Sequence, residues 1–332
     1  MLPHRARRGR GGRARPYGEA VTVSPDPSSP GPSSPPVLIR PMAPSDVPVA
    51  ERISDEAFLA ADLLTVPRGA PDPTPRPAER SERWIARTRS FLDTDPQGCV
   101  VAETLEGPDA GAVIGFATSM VRERLWVLAT FAVLPGAQGL GLGSRLLAAA
   151  EQSGRAAGCD RAMLSASDDP RALRRYWGAG FRLHGQRLLS GVLDRSALPA
   201  VTGLREGTEA DRDLLDTLDR ERRGAGHGPD HVALAAQGAL VVDAAGDGYA
   251  YAAASGPALV AARDEGTARR LLWECLARTE PGADVEVGHV SGANDWAVDV
   301  ALTARLTLRH DGWLGTRGMD APTTYLHHGA LL

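Results

Sequence analysis

Apolar residues along this chain fall into runs of two kinds, and the breaks between them predict the elements. Short apolar runs bounded by Gly, Pro and charged residues read as strands, and apolar positions three to four apart read as helices. Strands are predicted at 37–41, 98–104, 111–121, 125–134 and 161–166. Ser45 and Asp46 form a helix N-cap before a segment that runs to about 64, and a second helix covers 78–92. Between them, residues 66–78 are Pro-rich and break regular structure. An apolar-periodic helix spans 142–157. Asp168, Asp169 and Pro170 start another, which runs through Trp177 and stops at Gly178, Ala179 and Gly180. Residues 181–193 then supply closing strands.

The remainder repeats this order in weaker form. Leu204 and Arg205 through Asp211 echo Ile39 and Arg40 through Asp46, with the same Arg-to-Asp spacing. Arg263, Gly266 and Ala268 follow Gln138, Gly141 and Gly143 at a constant offset of 125, again between an apolar run and a helix. Asn294 and Ala297 follow Asp169 and Ala172 at that offset as well. The first offset is 165, so the second copy is shorter between its first helix and its glycine turn. That shortening deletes the Pro-rich insert and trims a hairpin. A boundary near 195–200 follows, with domains at 37–195 and 201–332. Residues 1–36, with six arginines in 5–15 and then a Pro/Ser/Gly tract, read as a disordered tail.

Composition changes this picture little. The 332 residues suffice for two ordinary domains, and 43% hydrophobic with 23% charged residues are globular values. A net charge of −4 gives the whole protein no reason to bind nucleic acid. There is no lysine and one asparagine, Asn294, a bias that fits GC-rich coding. Cys99, Cys159 and Cys275 are isolated and suggest neither a metal nor a disulfide framework, so reduced thiols in a cytoplasmic setting are expected. No apolar run reaches the roughly 18 residues of a membrane helix, and no membrane contact is expected.

The candidate chemistry begins at Gln138, Gly139, Leu140, Gly141, Leu142 and Gly143. An apolar run ended by Pro135 precedes them and a helix follows. Glycines let a ligand approach the backbone, and the first helical amides lack intrahelical partners, so this is an anion site. The spacing is wrong for a dinucleotide fingerprint, and a nucleoside-triphosphate loop needs the lysine this chain lacks.

Val133, Pro135, Gln138, Gly141 and Gly143 fit the V-x-P-x-x-Q/R-x-x-G-x-G/A acyl-CoA motif, and on them the chain resembles the GCN5-related N-acetyltransferase (GNAT) family. Asp169, Ala172, Tyr176, Gly180 and Phe181 look like that family's N-x-x-A-x-x-x-Y-x-x-x-G-F segment, with Asp169 where the family usually has Asn. Ile39, Arg40, Pro41 and Asp46 are also typical. The resemblance covers about residues 37–190. It implies an α+β (mixed α/β) fold of two GNAT-like domains, each a mostly antiparallel twisted sheet flanked by helices, the second degenerate.

The resemblance also implies acetyl-CoA as donor and a primary amine of a small molecule or peptide as acceptor, by direct transfer. Backbone groups of Ala132, Val133, Gln138, Gly139, Leu140, Gly141, Leu142, Gly143 and Ser144 would hold the cofactor. Asp169 would face its pantetheine or cap its own helix. Tyr176 stands at the family's general-acid position, and a phenol stays protonated at neutral pH. No carboxylate lies on 125–134; Glu123, Asp168, Asp55 and Glu56 are candidate bases, beside a water chain or an amine already deprotonated. His227 and His231 have a spacing a metal could use, but Gly-Pro between them argues for a loop, and no metal is expected. His327 and His328 read as surface, and Trp84 and Trp126 as core packing or acceptor lining. In the second copy Ala301 matches Tyr176, and Asp264 and Glu265 stand where a pyrophosphate would approach. The alternative to an enzyme is a non-catalytic acyl-CoA-binding or regulatory module. A monomer or homodimer is expected.

Overall fold

The first half of the chain builds β1 (Val37–Pro41), α1 (Val47–Thr65), α2 (Ala78–Thr94), β2 (Cys99–Thr104), β3 (Val113–Arg122), β4 (Leu125–Val133), α3 (Leu142–Ala156), β5 (Arg161–Ala166), α4 (Pro170–Gly178) and β6 (Arg182–Val192). The second builds β7 (Leu204–Glu206), α5 (Arg212–Arg222), α6 (Asp230–Ala235), β8 (Gly238–Asp243), β9 (Gly248–Ala253), β10 (Gly256–Ala262), α7 (Glu265–Ala277), β11 (Asp284–Ser291), α8 (Asp295–Thr303), β12 (Thr307–Arg317) and β13 (Tyr325–Leu326). This computed structural model describes residues 36–66, 72–139 and 141–332. The tail expected at 1–36 lies outside them but for Pro36, as does part of the Pro-rich insert.

Local chemistry explains the boundaries. α3 buries Leu142, Leu146, Leu147 and Ala150 on one stripe against the sheet. In α4 the Asp169 carboxylate accepts the Arg171 amide at 2.9 Å, Pro170 takes the first helical position, and Gly180 exits at φ 86°. The Arg40–Asp46 pair closes the turn before α1 at 2.6 Å, and Asp46 also accepts the Ala43 amide. Arg205 and Asp211 repeat that pair at 2.5 Å, and Asp211 accepts the Thr208 amide. The sequence echo is thus a repeated piece of structure.

Two sheets result, one of eight strands in the order β1-β2-β3-β4-β5-β12-β6-β11 and one of five in the order β13-β10-β9-β8-β7. All neighbours are antiparallel except β4 and β5. The fold is mixed α/β with helices flanking both sheets. Residues 181–193 were expected to supply closing strands; they form the single strand β6, and its neighbours come from the second half. β12 inserts between β5 and β6, and β11 pairs with the far side of β6. β6 and β12 are both 11 residues long and start 125 apart, like α4 and α8. Each half therefore lays its own last long strand against the other half's preceding strand. A strand exchanged this way leaves no free edge between the halves.

The halves share a core as well. Met42, Val101 and Phe116 pack in one cluster with Leu215, Tyr249 and Tyr325. Arg122 on β3 makes buried ion pairs with Asp230 at 2.5 Å and Asp95 at 2.9 Å. All described residues lie in one compact unit, Pro35–Leu332. No helix among them is long and apolar enough to cross a membrane.

Candidate active site

β4 and β5 pair only from Leu125↔Arg161 to Leu128↔Leu164, and then part. Ala132 and Val133 remain bonded to β3 on the other side, so their edge toward β5 is open. The Gln138 side chain donates to the Val133 carbonyl at 2.9 Å and fixes the end of the strand. Gly139 and Gly141 follow with φ of 87° and 76°, left-handed conformations that favour glycine. Ser144 and Arg145 donate back to the Gly141 carbonyl, and helix geometry leaves the amides ahead of them free. The mouth of the cleft is therefore a set of amide donors at the positive end of a 15-residue helix.

A cavity of about 380 Å³ fills this opening. Its walls include Ala132, Val133, Gln138, Gly139, Gly141, Gly143, Asp169 and Tyr176 from the expected set. Leu142 turns its side chain into the core, and Ser144 is exposed beside the mouth. Leu140 lies outside the described residues. Arg171, Arg174 and Arg175 of α4, which no sequence motif marks, line the same cavity. A Cβ on Gly143 would stand 2.7 Å from the Arg175 guanidinium carbon, so glycine is what lets that side chain lie across the helix start. The Arg175 Nε is buried with no hydrogen-bond partner, and its guanidinium stacks 5.5 Å from the Phe131 ring. Their spacing puts them on one face of α4, but no local pattern brings that face to a glycine loop that precedes both α3 and β5.

Tyr176 is 5% exposed and lines the cavity, held edge-on between Phe131 and Phe181. Burial pushes its phenol well above the ordinary range. It stays protonated through the working pH range.

A second cavity of about 650 Å³ adjoins the first. The two share Phe58, Ala129, Thr130, Ser165, Ala166 and Ser167 as walls. Of the four carboxylates considered as a base, Asp168 and Asp55 line this second cavity. Asp55 accepts the Arg76 amide at 2.8 Å. Glu56 is exposed and lines neither cavity. Glu123 sits in the β3–β4 turn with φ 54° and pairs with Arg220 at 2.6 Å, away from both. Asp168 receives two donors on one oxygen: Nε2 of His310 and Nε1 of Trp313, both at 2.8 Å. Both donors come from β12. The register of β12 against β6 shifts between His310 and Trp313, and Gly312 in that bulge has φ 71°. A Cβ there would meet the Ala166 carbonyl oxygen at 2.2 Å. The bulge aims His310 and Trp313 at the same carboxylate. No motif in the sequence marks His310.

Trp84 lines the second cavity and packs on Phe116, while Trp126 is core, its indole donating to the Ala150 carbonyl. His327, read as surface, is 4% exposed and stacks on His289 at 4.6 Å. His227 and His231 are fully buried, with His231 inside α6 rather than in a loop. With Asp219 they form a cluster whose spacing suits a metal ion. Arg223 donates to His227 Nε2 at 2.9 Å, which makes the opposite nitrogen the donor to Asp219 at 2.8 Å. A divalent ion there would have to displace that hydrogen bond.

The matching connection in the second half is shorter. Only Arg263 and Asp264 separate β10 from α7, where Leu134 to Gly141 separate β4 from α3 in the first. β13 pairs with β10 at Val260 and Ala261, along the edge that stays open in β4. Asp264 caps α7 through the Thr267 amide.

A splayed β4 and β5 with a glycine turn at a helix start defines this fold and site as acyltransferase-like. Residues 61–181 match the sequence model of the acetyltransferase (GNAT) family, so the chain contains a GNAT-family acetyltransferase domain. Among curated proteins no sequence matches this one. Three solved structures share the architecture over most of the chain. A putative acetyltransferase from Pyrococcus horikoshii is 16% identical, with a TM-score of 0.68 over 89% of this chain and 95% of its own. A GCN5-related N-acetyltransferase from Sphaerobacter thermophilus is 17% identical, with 0.55 over 86% and 97%. One from Kribbella flavida is 15% identical, with 0.53 over 85% and 71%. At these identities the likeness establishes the fold.

Proposed function

We propose that the protein is an N-acetyltransferase that moves the acetyl group of acetyl-CoA directly to a primary amine of a small molecule or peptide. The observation that carries this reading is the connection of the two cavities. The first has donors for an anionic thioester cofactor, and the second opens from its inner wall at Thr130 and Ser165. Acetyl-CoA supplies an activated acyl group; every other task falls to the chain.

The residues present suit that cofactor. The start of α3 at Gly141 and Gly143, whose first-turn amides lack intrahelical partners, and Arg175, whose Nε has no partner, line the place where phosphates would lie. The open edge of β4 at Ala132 and Val133 offers backbone groups to pantetheine amides. Asp169 is engaged as a helix cap, which favours the cap over a direct cofactor contact. Tyr176 is the general acid for the departing thiolate. Its burial makes it a reluctant donor, but a thiolate released against the same apolar wall is destabilised too, and the driving force is restored. His310 is the general base. Asp168 holds its Nε2–H and leaves Nδ1 as the acceptor for the amine proton, while the carboxylate steadies the imidazolium.

Residues 37–195 carry the donor site on this reading. Residues 201–332 are a copy that binds no cofactor and contributes His310 and the far wall of the acceptor cavity. Thiol release from acetyl-CoA over an amine panel tests the proposal, with Tyr176→Phe as control. Turnover that falls about 100-fold in the variant at unchanged acetyl-CoA affinity supports it. Tight acetyl-CoA binding with no thiol release for any amine would sink it in favour of a binding module.

A further inference from the structure

α2 turns one face to the second cavity. Arg80, Trp84 and Arg87, spaced i, i+4 and i+7, all line it. The cavity's charges are accounted for with few exceptions. Arg76 is held by Glu51 at 2.7 Å and by the Ser54 hydroxyl at 2.9 Å. Asp168 is taken by His310 and Trp313, Asp55 by the Arg76 amide, and Asp311 by the His289 amide. Asp62 is pushed toward its neutral form by burial.

Arg87 has nothing. Among the described residues no carboxylate lies within salt-bridge distance of it, and its Nε is buried without a hydrogen-bond partner. Burial and the neighbouring Arg76 charge pull its guanidinium down to about 10, and no acid opposes them. A buried guanidinium nitrogen left without a partner costs stability, and a ligand that supplies the missing acceptor recovers that cost. The cofactor's phosphates are not that ligand, since Arg87 lines the second cavity and not the first.

Resting on the transfer reading above, we propose that the acceptor amine carries an anionic group, a carboxylate or a phosphate, and that Arg87 binds it. The acceptor then spans the cavity. Its anion lies against α2, with the exposed Arg80 at the rim, and the Trp84 indole between them covers its apolar part. Its amine reaches the Thr130 and Ser165 wall, where the thioester enters and the His310–Asp168 pair takes the proton. A planar guanidinium matches either oxyanion in a two-pronged contact.

The test compares matched amines: an amino carboxylate against its amide, and an amino phosphate against the parent amino alcohol. Wild-type protein is expected to prefer the anionic member of one pair by about 10- to 100-fold in kcat/KM, the range charged hydrogen bonds give. Arg87→Gln should abolish that preference while leaving turnover of the neutral member within about twofold, and Arg87→Lys should restore part of it. The melting temperature of Arg87→Gln should stay close to or above the wild-type value, because the half-buried guanidinium has no acid to lose and its orphaned Nε is removed. A wild type without anion preference, a preference that survives in Arg87→Gln, or a variant that unfolds would each overturn the proposal, the last by making the guanidinium structural. If wild-type protein acetylates no amine of any charge, the transfer reading fails. The anion site is then judged by whether the amino carboxylate raises the melting temperature more than its amide does, in wild type and not in Arg87→Gln.

Discussion

Nε2 of His310 stands 2.8 Å from Oδ1 of Asp168, and the two residues come from opposite halves of the chain. The carboxylate sits at the start of α4 and the imidazole on the strand that the second half inserts beside β5. His310→Gln is expected to lower kcat about 100-fold with acetyl-CoA affinity unchanged. Asp168→Asn should lower kcat less, since it disturbs the ring's orientation without removing the base. An undiminished kcat in His310→Gln would exclude the role.

Gly312 controls that contact from within the strand. Its φ of 71° and a Cβ position 2.2 Å from the Ala166 backbone oxygen leave no room for a side chain that could swing away. Gly312→Ala is expected to cost about 1–3 kcal/mol of stability and to lower turnover by shifting His310 and Trp313 off Asp168. Denaturant unfolding and steady-state rates on the same preparation check both.

Gly143 presents the opposite case. Its nearest neighbour is the far end of the flexible Arg175 side chain, which can move. Gly143→Ala should leave stability equal or raise it by up to about 1 kcal/mol, as alanine does in a helix. It should weaken acetyl-CoA binding about tenfold by displacing Arg175 from the helix start. Calorimetric titration with acetyl-CoA and thermal unfolding separate the two effects.

The buried cluster between α5 and α6 sets a pH dependence of stability. Burial holds His227 well below the ordinary imidazole range and His231 at about 4, so both favour the fold above their unfolded pKa of about 6.5 and lose that share as pH falls through the folded values. Burial raises Asp219 to about 6, so its share is present at low pH and lost as pH rises through 6. Between pH 4 and 6 the unfolded chain holds protons on two imidazoles and the folded one holds a proton on one carboxyl. The cluster alone then makes stability rise with pH across this window, because the unfolded chain binds the more protons. His231→Phe removes one of the imidazoles, and its denaturant-derived stability should climb less steeply across this window than wild type. Equal slopes would exclude the assignment.

The first half was legible almost element by element. β1 and β5 match their predicted bounds, and α3 and α4 differ from theirs by a residue or so, because their signals are local: an Asp169 cap, Pro170, and glycines at 139, 141 and 180 with positive φ. The glycine loop was readable for the same reason, since adjacent backbone amides make it. Arg175 was passed over because its place depends on how α4 leans across Gly143. The second copy's turn at Arg263 echoes that loop in sequence, yet the chain passes from β10 to α7 with two residues between, because Asp264 caps the helix at once.

By itself the sequence determined most strands and helices of the first half, the repeat, and the glycine turn ahead of α3, since periodicity, caps and backbone freedom act within a few residues. Only the tertiary structure decided that β12 crosses into the first sheet, that β13 closes the second half's cleft, and that His310 and Arg87 face one cavity. Those outcomes depend on which sheet edge buries which strand. No local pattern encodes an edge contact between residues more than a hundred positions apart.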